Sequence, residues 1–497
     1  MRFRFKSCDL LLILCLVLPF RNAGSTESAF APRKHARSRS ERRLSPEVIL
    51  PAFLKKTTTH AEEQPSSDAS VASEETHGWP SFLGPTGDGK SPETGILTEW
   101  PEDGLEVVWQ KQVGEGYGIG AVSQGRYFHF DRHGDQARLT CMSASTGAAQ
   151  WTFEYATSYT DRYGYDGGPR CSPIVDDDRV YLYGAEGMLH CLRVEDGGVV
   201  WKVDTCAEFG VVQNFFGVGS NPVVFKELLL VMVGGSPAES EPQSPWLLDR
   251  IAGNGTAVVA FDKRSGEVAY KTGDELASYA SLKLAEINGR WWCFAFARGG
   301  LFAFDPSNGK IDFHYPWRGR MLESVNASVP VVVKDEVFLS ETYGPGASLL
   351  RVRTGGCDVI WKDELRSRQR RFQAHWSTPI YHNGYLYGCS GRHKQNAELR
   401  CIHWETGKLA WSVPKLARTS LLYVDGHFVC LGEYGVLLLF RASPEGFQLV
   451  AESLLRDKDG KLLLDYPCWA APILAGGLLY VRGKGRVVCL RLIPPTP

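Results

Sequence analysis

A tight turn followed by an aromatic residue recurs along this chain. STGAAQW ends at Trp151, EDGGVVW at Trp201, RSGEVAY at Tyr270, SNGKIDF at Phe313, GGCDVIW at Trp361 and ETGKLAW at Trp411. PEGFQL places Leu449 near the same register, and GLEVVW ends at Trp109. The intervals are mostly about 40–50 residues, with one of about 70, which is the length of one four-stranded propeller blade.

Each unit has the same internal order. Between Cys171 and Lys202 the sequence reads CSPIV, RVYLYG, MLHCLRV and GVVWK, separated by DDD, AEG and EDG. These are four short strands rich in β-branched and aromatic residues, divided by Gly and Asp turn signals. The 52 glycines and only 5 methionines fit a chain of many tight turns. Seven full sets end at Trp151 through Leu449, and a last set from Cys468 to Leu492 supplies three strands. Leu105 to Lys111 (LEVVWQK) offers the fourth. Pairing it there closes the ring and removes the edge strands that invite aggregation. The expected fold is therefore all-β, an eight-bladed propeller closed by an N-terminal strand. Seven blades is the alternative, if the weak unit at Leu449 merges with a neighbour. The recurrent aromatics read as packing between blades, and Cys141, Cys191, Cys401 and Cys489 share one register as small buried residues.

Upstream, Arg2, Arg4 and Lys6 precede the apolar run Leu10–Phe20 and the small residues Ala23, Gly24 and Ser25. This is the pattern of a secretory leader over 1–25, and the run falls short of the ~20 residues that span a bilayer. Residues 26–77, with RKHARSRSERR followed by HAEEQPSSDASVASEETH, read as a disordered linker, and 78–497 as the propeller. The expected location is outside the cytoplasm, periplasmic or in the cell envelope, with no membrane span once the leader is removed. A formal net charge of −1 argues against nucleic-acid binding by bulk positive charge. With Cys8 and Cys15 in the leader, an odd number of cysteines remains, so no full disulfide framework is expected.

The repeats CIHWETGKLAW (401–411), AFDPSNGKIDF (303–313) and AFDKRSGEVAY (260–270) resemble the pyrroloquinoline-quinone (PQQ) type of propeller repeat. That repeat occurs in quinoprotein alcohol dehydrogenases and in BamB-like outer-membrane assembly lipoproteins. The opening GWPSFLGPTGDGKSPETGILTEW (78–100) looks like the start of exported propellers abundant in planctomycete-type bacteria. The resemblance implies either a binding scaffold or an oxidoreductase acting on alcohols with PQQ and calcium. In the second case it implies hard oxygen ligands for calcium, for which Glu323, Asn326 and Asp465 are the candidates, and a carboxylate base, Asp166 or Asp465. The adjacent-cysteine pair common in those enzymes is absent from this sequence, as is the haem-attachment motif C-x-x-C-H.

In an up-and-down blade, successive turns alternate between the two faces of the ring. The first-to-second and third-to-fourth turns are short here. The other face carries the long connections 159–170, 206–221, 317–328 and 366–377 and an insertion at 234–255. Long loops on one rim of a rigid scaffold are where binding concentrates. Residues just before each first strand should face the channel there: Tyr117, Arg170, Asn221, Tyr279, Asn326, His375, Trp376, Arg418 and Trp469. Arginines, amides and aromatics suit an anionic or hydroxyl-rich ligand. The expected function is an exported binding or scaffold propeller, monomeric, with a protein or polysaccharide partner on that rim. Cys171 and Cys468 fall at the same rim and are the thiols to consider for reactivity.

Overall fold

The computed structural model describes residues 78–211, 215–240, 245–364 and 369–495, so the expected leader and linker lie outside the described residues. Eight four-stranded antiparallel sheets make up the fold. Seven are built from consecutive strands and occupy residues 121–156, 174–204, 223–272, 283–316, 331–362, 380–414 and 419–454. The eighth adds Val107–Gln112 to the three strands of residues 473–491. Trp109 lies opposite Cys489 and Lys111 opposite Val487, so the early strand zips beside the last one. Eight blades, not seven, is the count.

Why this sequence makes a ring is visible at the seams. Buried apolar clusters lie between consecutive blades all the way round, from the first and second to the seventh, eighth and first. The repeated aromatic locks each seam. The Trp109 indole donates to the Ala144 carbonyl at 2.8 Å, Trp151 to Val194 at 3.1 Å, Trp201 to Lys263 at 3.1 Å and Trp361 to Trp404 at 2.9 Å. The turn glycine of the next repeat lies under the ring. A Cβ on Gly147 would come 2.8 Å from Trp109, and its φ of +67° already excludes most side chains. The signature is thus two halves of one contact, the Trp of one blade and the Gly of the next. Behind each Trp, the third and fourth strands slip register by a bulge, as between Cys141 and Met142 or Cys191 and Leu192. Bulges increase local twist, as a propeller blade requires.

The segment before the closing strand does something the repeat does not foretell. Trp79 exchanges two backbone hydrogen bonds with Val122, and Pro80 accepts from Val175. Gly87 accepts from the Lys283 ammonium at 2.6 Å, and Gly89 and Ser91 pair with Tyr423. These partners sit on the innermost strands of the first, second, fourth and seventh blades, on different sides of the axis. Residues 78–91 therefore cross the channel as a strap. No helix among the described residues is long and apolar enough to cross a membrane.

Candidate functional site

A cavity of about 340 Å³ opens at the loop rim, on the propeller axis. Each of the eight between-blade connections contributes to it: Tyr117, Arg170, Asn221, Tyr279, Val325, His375 with Trp376, Arg418 and Trp469 all line its wall. Phe82 and Leu83 of the strap line it too, so the channel becomes a pit with an apolar plug on one side. Of the residues expected to face the channel, Asn326 alone does not line the cavity, although its neighbours Val325 and Ala327 do.

Position does not make these residues available. Arg170 donates to Asp161 at 2.8 Å and to the carbonyls of Phe216, Asp166 and Gly168, with its guanidinium over the Tyr117 ring. Arg418 donates to Glu433 at 2.9 and 2.5 Å and lies over the rings of Trp376 and Trp469. Both cations are partnered by buried carboxylates and hold the wall together. Asn221 accepts from the Ser172 amide at 2.7 Å and donates to Ser281 at 2.9 Å, joining three blades. Asn326 donates to the carbonyls of Ala297 and Trp317 and accepts through its own carbonyl from Tyr279 and Ala280.

The aromatic wall is continuous. Trp469 packs against Trp376 at 5.0 Å and against Tyr117 at 4.9 Å between ring centroids. The Trp469 indole donates to Glu433 at 3.2 Å, and that of Trp376 donates to the Trp469 carbonyl, also at 3.2 Å. At the mouth, Tyr165 is 61% exposed and reaches both Trp469 and Phe216. Burial, with Arg418 and Arg392 nearby, pushes the His375 imidazole down to about 3, so it is neutral. Its Nε2 lies 3.1 Å from the Tyr343 hydroxyl, and its Nδ1 has no partner.

The remaining expectations fall elsewhere. Asp166 accepts from the Gly168 amide, lies 3.8 Å from Arg170, and lines a neighbouring cavity of about 320 Å³ at the seam of the first and eighth blades. Asp465 is exposed, and its carbonyl accepts from Lys484. Burial, with Glu323 nearby, raises the Tyr163 phenol. Among the described residues no three His, Cys, Asp or Glu side chains gather where they could hold a metal ion. Asn326 leaves one buried oxygen without a partner, which is too little for a cation that takes six to eight oxygens. The residues present do not fit a calcium-bound quinone. Cys171 and Cys468, considered above as rim thiols, are both buried. Burial drives the Cys171 thiol well above its usual range and that of Cys468 up to about 12, so neither is poised to react. The cysteines among the described residues form no disulfide with one another.

Beneath the rim, Glu341 is 1% exposed, and burial raises its carboxyl to about 7 against hydrogen bonds from Ser324 and the amides of Tyr343 and Gly344. The fold favours the protonated form. Its contribution is therefore complete below the unfolded value near 4.5 and is lost as pH rises through 7. Glu341→Gln should melt alike at pH 5.5 and 8, whereas the parent should lose on the order of 2 kcal/mol over that range from this group. Thermal melts across pH test it, and equal pH slopes in the two proteins would refute it.

Phe82, Leu83, Tyr343, Arg392 and Glu433 were not nominated from sequence. The strap residues carried a signal, the WPSFLGP run, whose apolar side chains and Gly84 mark a compact segment. An added Cβ at Gly84 would meet the Trp79 ring at 2.9 Å.

Comparison with known proteins follows the same lines. The structure of BamB from Moraxella catarrhalis superposes with a TM-score of 0.52 at 12% identity, over 79% of this chain and 99% of that one. Quinohemoprotein alcohol dehydrogenase from Comamonas testosteroni gives 0.47 at 14%, over 84% and 82%. A europium-containing methanol dehydrogenase gives 0.45 at 11%, over 83% and 91%. No curated protein matches the sequence. At these identities the likenesses speak for the fold alone, but the family profile described as outer membrane protein assembly factor BamB matches residues 101–413, well over half of the sequence. The chain belongs to that family.

Proposed function

We propose that this protein is an exported, non-catalytic propeller that captures a partner in the axial pit of its loop rim. One observation carries the reading: all eight between-blade connections converge on a single aromatic-walled pit plugged by the chain's own strap. The exposed Tyr163, Tyr165 and Tyr466 around it supply contact area at small entropic cost, as binding surfaces do. The partner is a protein segment or a polysaccharide, the protein acts as a monomer, and the leader delivers it to the periplasm or envelope.

The oxidoreductase alternative needs calcium ligands that the described residues do not gather. Two measurements separate the readings. Protein mixed with calcium and PQQ should show neither thermal stabilisation nor dye reduction with alcohols, and turnover would overturn the proposal. A photo-crosslinker at Tyr165 in the full chain, expressed in its own envelope, should capture a partner. Trp469→Ala should reduce that capture by about tenfold, given ~0.5–1.5 kcal/mol for each lost aromatic pair. Capture indifferent to Trp469 would place the binding surface elsewhere.

A further inference from the structure

We infer that the pit receives a carboxylated sugar ring, with Arg392 as the group that binds its carboxylate. This rests on the pit being a binding site, and it names the ligand's chemistry. Arg392 stands on the turn between the second and third strands of the sixth blade and lines the pit. Its guanidinium carbon lies 4.2 Å from the centroid of the Tyr343 ring. Unlike Arg170 and Arg418, its side chain makes no ion pair and no hydrogen bond to any described residue. It is the cation of the pit wall whose donors remain open. Stacking on Tyr343 fixes the plane of the guanidinium and leaves its edge free for the two oxygens of a carboxylate.

The rest of the wall says what carries that carboxylate. His375 keeps a buried Nδ1 without a partner and is neutral, so it serves a hydroxyl rather than a second charge. The Ser377 hydroxyl, also on the wall, makes no hydrogen bond to another described residue. Trp376, Trp469 and Tyr117 offer ring faces. A free phosphate uses none of these faces. A purely aromatic acid leaves the buried Nδ1 of His375 unmatched, and an unmatched buried polar group costs ~1–3 kcal/mol. A sugar ring bearing one carboxylate meets all three demands. The cavity, about 340 Å³, is at the small end of the ~300–1,000 Å³ range of small-molecule sites, and the strap closes it from below. It therefore takes the end of such a glycan, not a strand threaded through the ring.

The test is calorimetric titration of the full chain with trigalacturonate, its methyl ester, inorganic phosphate and a Glu-rich peptide. Trigalacturonate should bind and quench tryptophan fluorescence, the ester at least tenfold more weakly. Arg392→Gln should lose at least tenfold for the acid, leave the ester unchanged and melt within a few degrees of the parent, since the side chain makes no ion pair or hydrogen bond with the described residues and gives up only its contact with the Tyr343 ring. Equal affinity for acid and ester, an unaffected Arg392→Gln variant, or no binding at all would overturn the inference. Equal binding of phosphate or of the peptide would overturn it too. If Trp469-dependent crosslinking at Tyr165 survives while trigalacturonate fails to bind, the pit is still a partner site and only the sugar assignment falls. If both fail, the pit itself is not the site.

Discussion

A chain begun at Gly114, lacking the strap at 78–91 as well as the strand Val107–Gln112, is expected to yield little or no soluble protein. The missing strand is the outer strand of the eighth blade, paired from Val107 opposite Leu490 to Gln112 opposite Arg486, with a register shift between Val107 and Trp109. Without it that blade keeps three strands and presents a free edge, a template for pairing with another chain. The seam to the first blade also opens. Trp109, 7% exposed, packs against Tyr127 and Tyr480 at 5.6 and 5.8 Å and bonds to Ala144 of the first blade. Loss of one seam exposes the apolar cluster shared by the seventh, eighth and first blades, the largest among the described residues. A milder variant keeps the idea testable. Trp109→Ala retains the strand and removes only the ring, so it should stay soluble but lose about 3–5 kcal/mol. Gly147→Ala, on the other half of the same contact, should be destabilised as well, because its Cβ has no room against that ring. Soluble expression and thermal melts decide the matter. A Gly114-initiated protein that is soluble and melts like the parent would mean that the ring does not depend on the closing strand.

How far the sequence foretold all this depends on the range of the contacts involved. The blade count was readable because its signal is local and repeated: a Gly turn, an aromatic residue mostly four positions after the glycine, and four short strands each time. The closing strand was readable by subtraction, since the last unit had three strands and an unclaimed one stood at the other end. The rim was readable for the same reason, as every first strand is preceded by a connection that must lie on one face. The state of each side chain on that rim was not. Arg418 is neutralised by Glu433, from the next hairpin, and Arg170 by Asp161, from within its own loop. Arg392 stays open because it forms no ion pair with a carboxylate among the described residues. Nothing in the local sequence distinguishes these three arginines; the difference lies in which acid the folded loops bring to each. The strap escaped notice because a single copy of an irregular segment leaves no periodicity to detect.

Removing the Arg418 side chain should therefore damage the fold, not merely the affinity for a ligand. Glu433 has no exposure at all, and its carboxylate takes three kinds of donor: the Arg418 guanidinium, the Arg418 amide at 3.1 Å and the Trp469 indole. Arg418→Met leaves that charge buried with its principal partner gone, a change that typically costs ~3–5 kcal/mol. Glu433→Leu in the same protein removes the stranded charge, and replacing a buried ion pair by apolar side chains of similar volume is often neutral. The double variant should thus recover most of the stability lost by Arg418→Met. It should not recover binding, because Trp469 loses the carboxylate that orients its indole and the wall loses the cation lying over Trp376 and Trp469. Melting temperature and trigalacturonate affinity, measured on the parent, the single and the double variant, resolve the two effects. If Arg418→Met melts with the parent, Glu433 is not the anchor of this wall. If the double variant binds as tightly as the parent, the orientation of Trp469 does not depend on the pair.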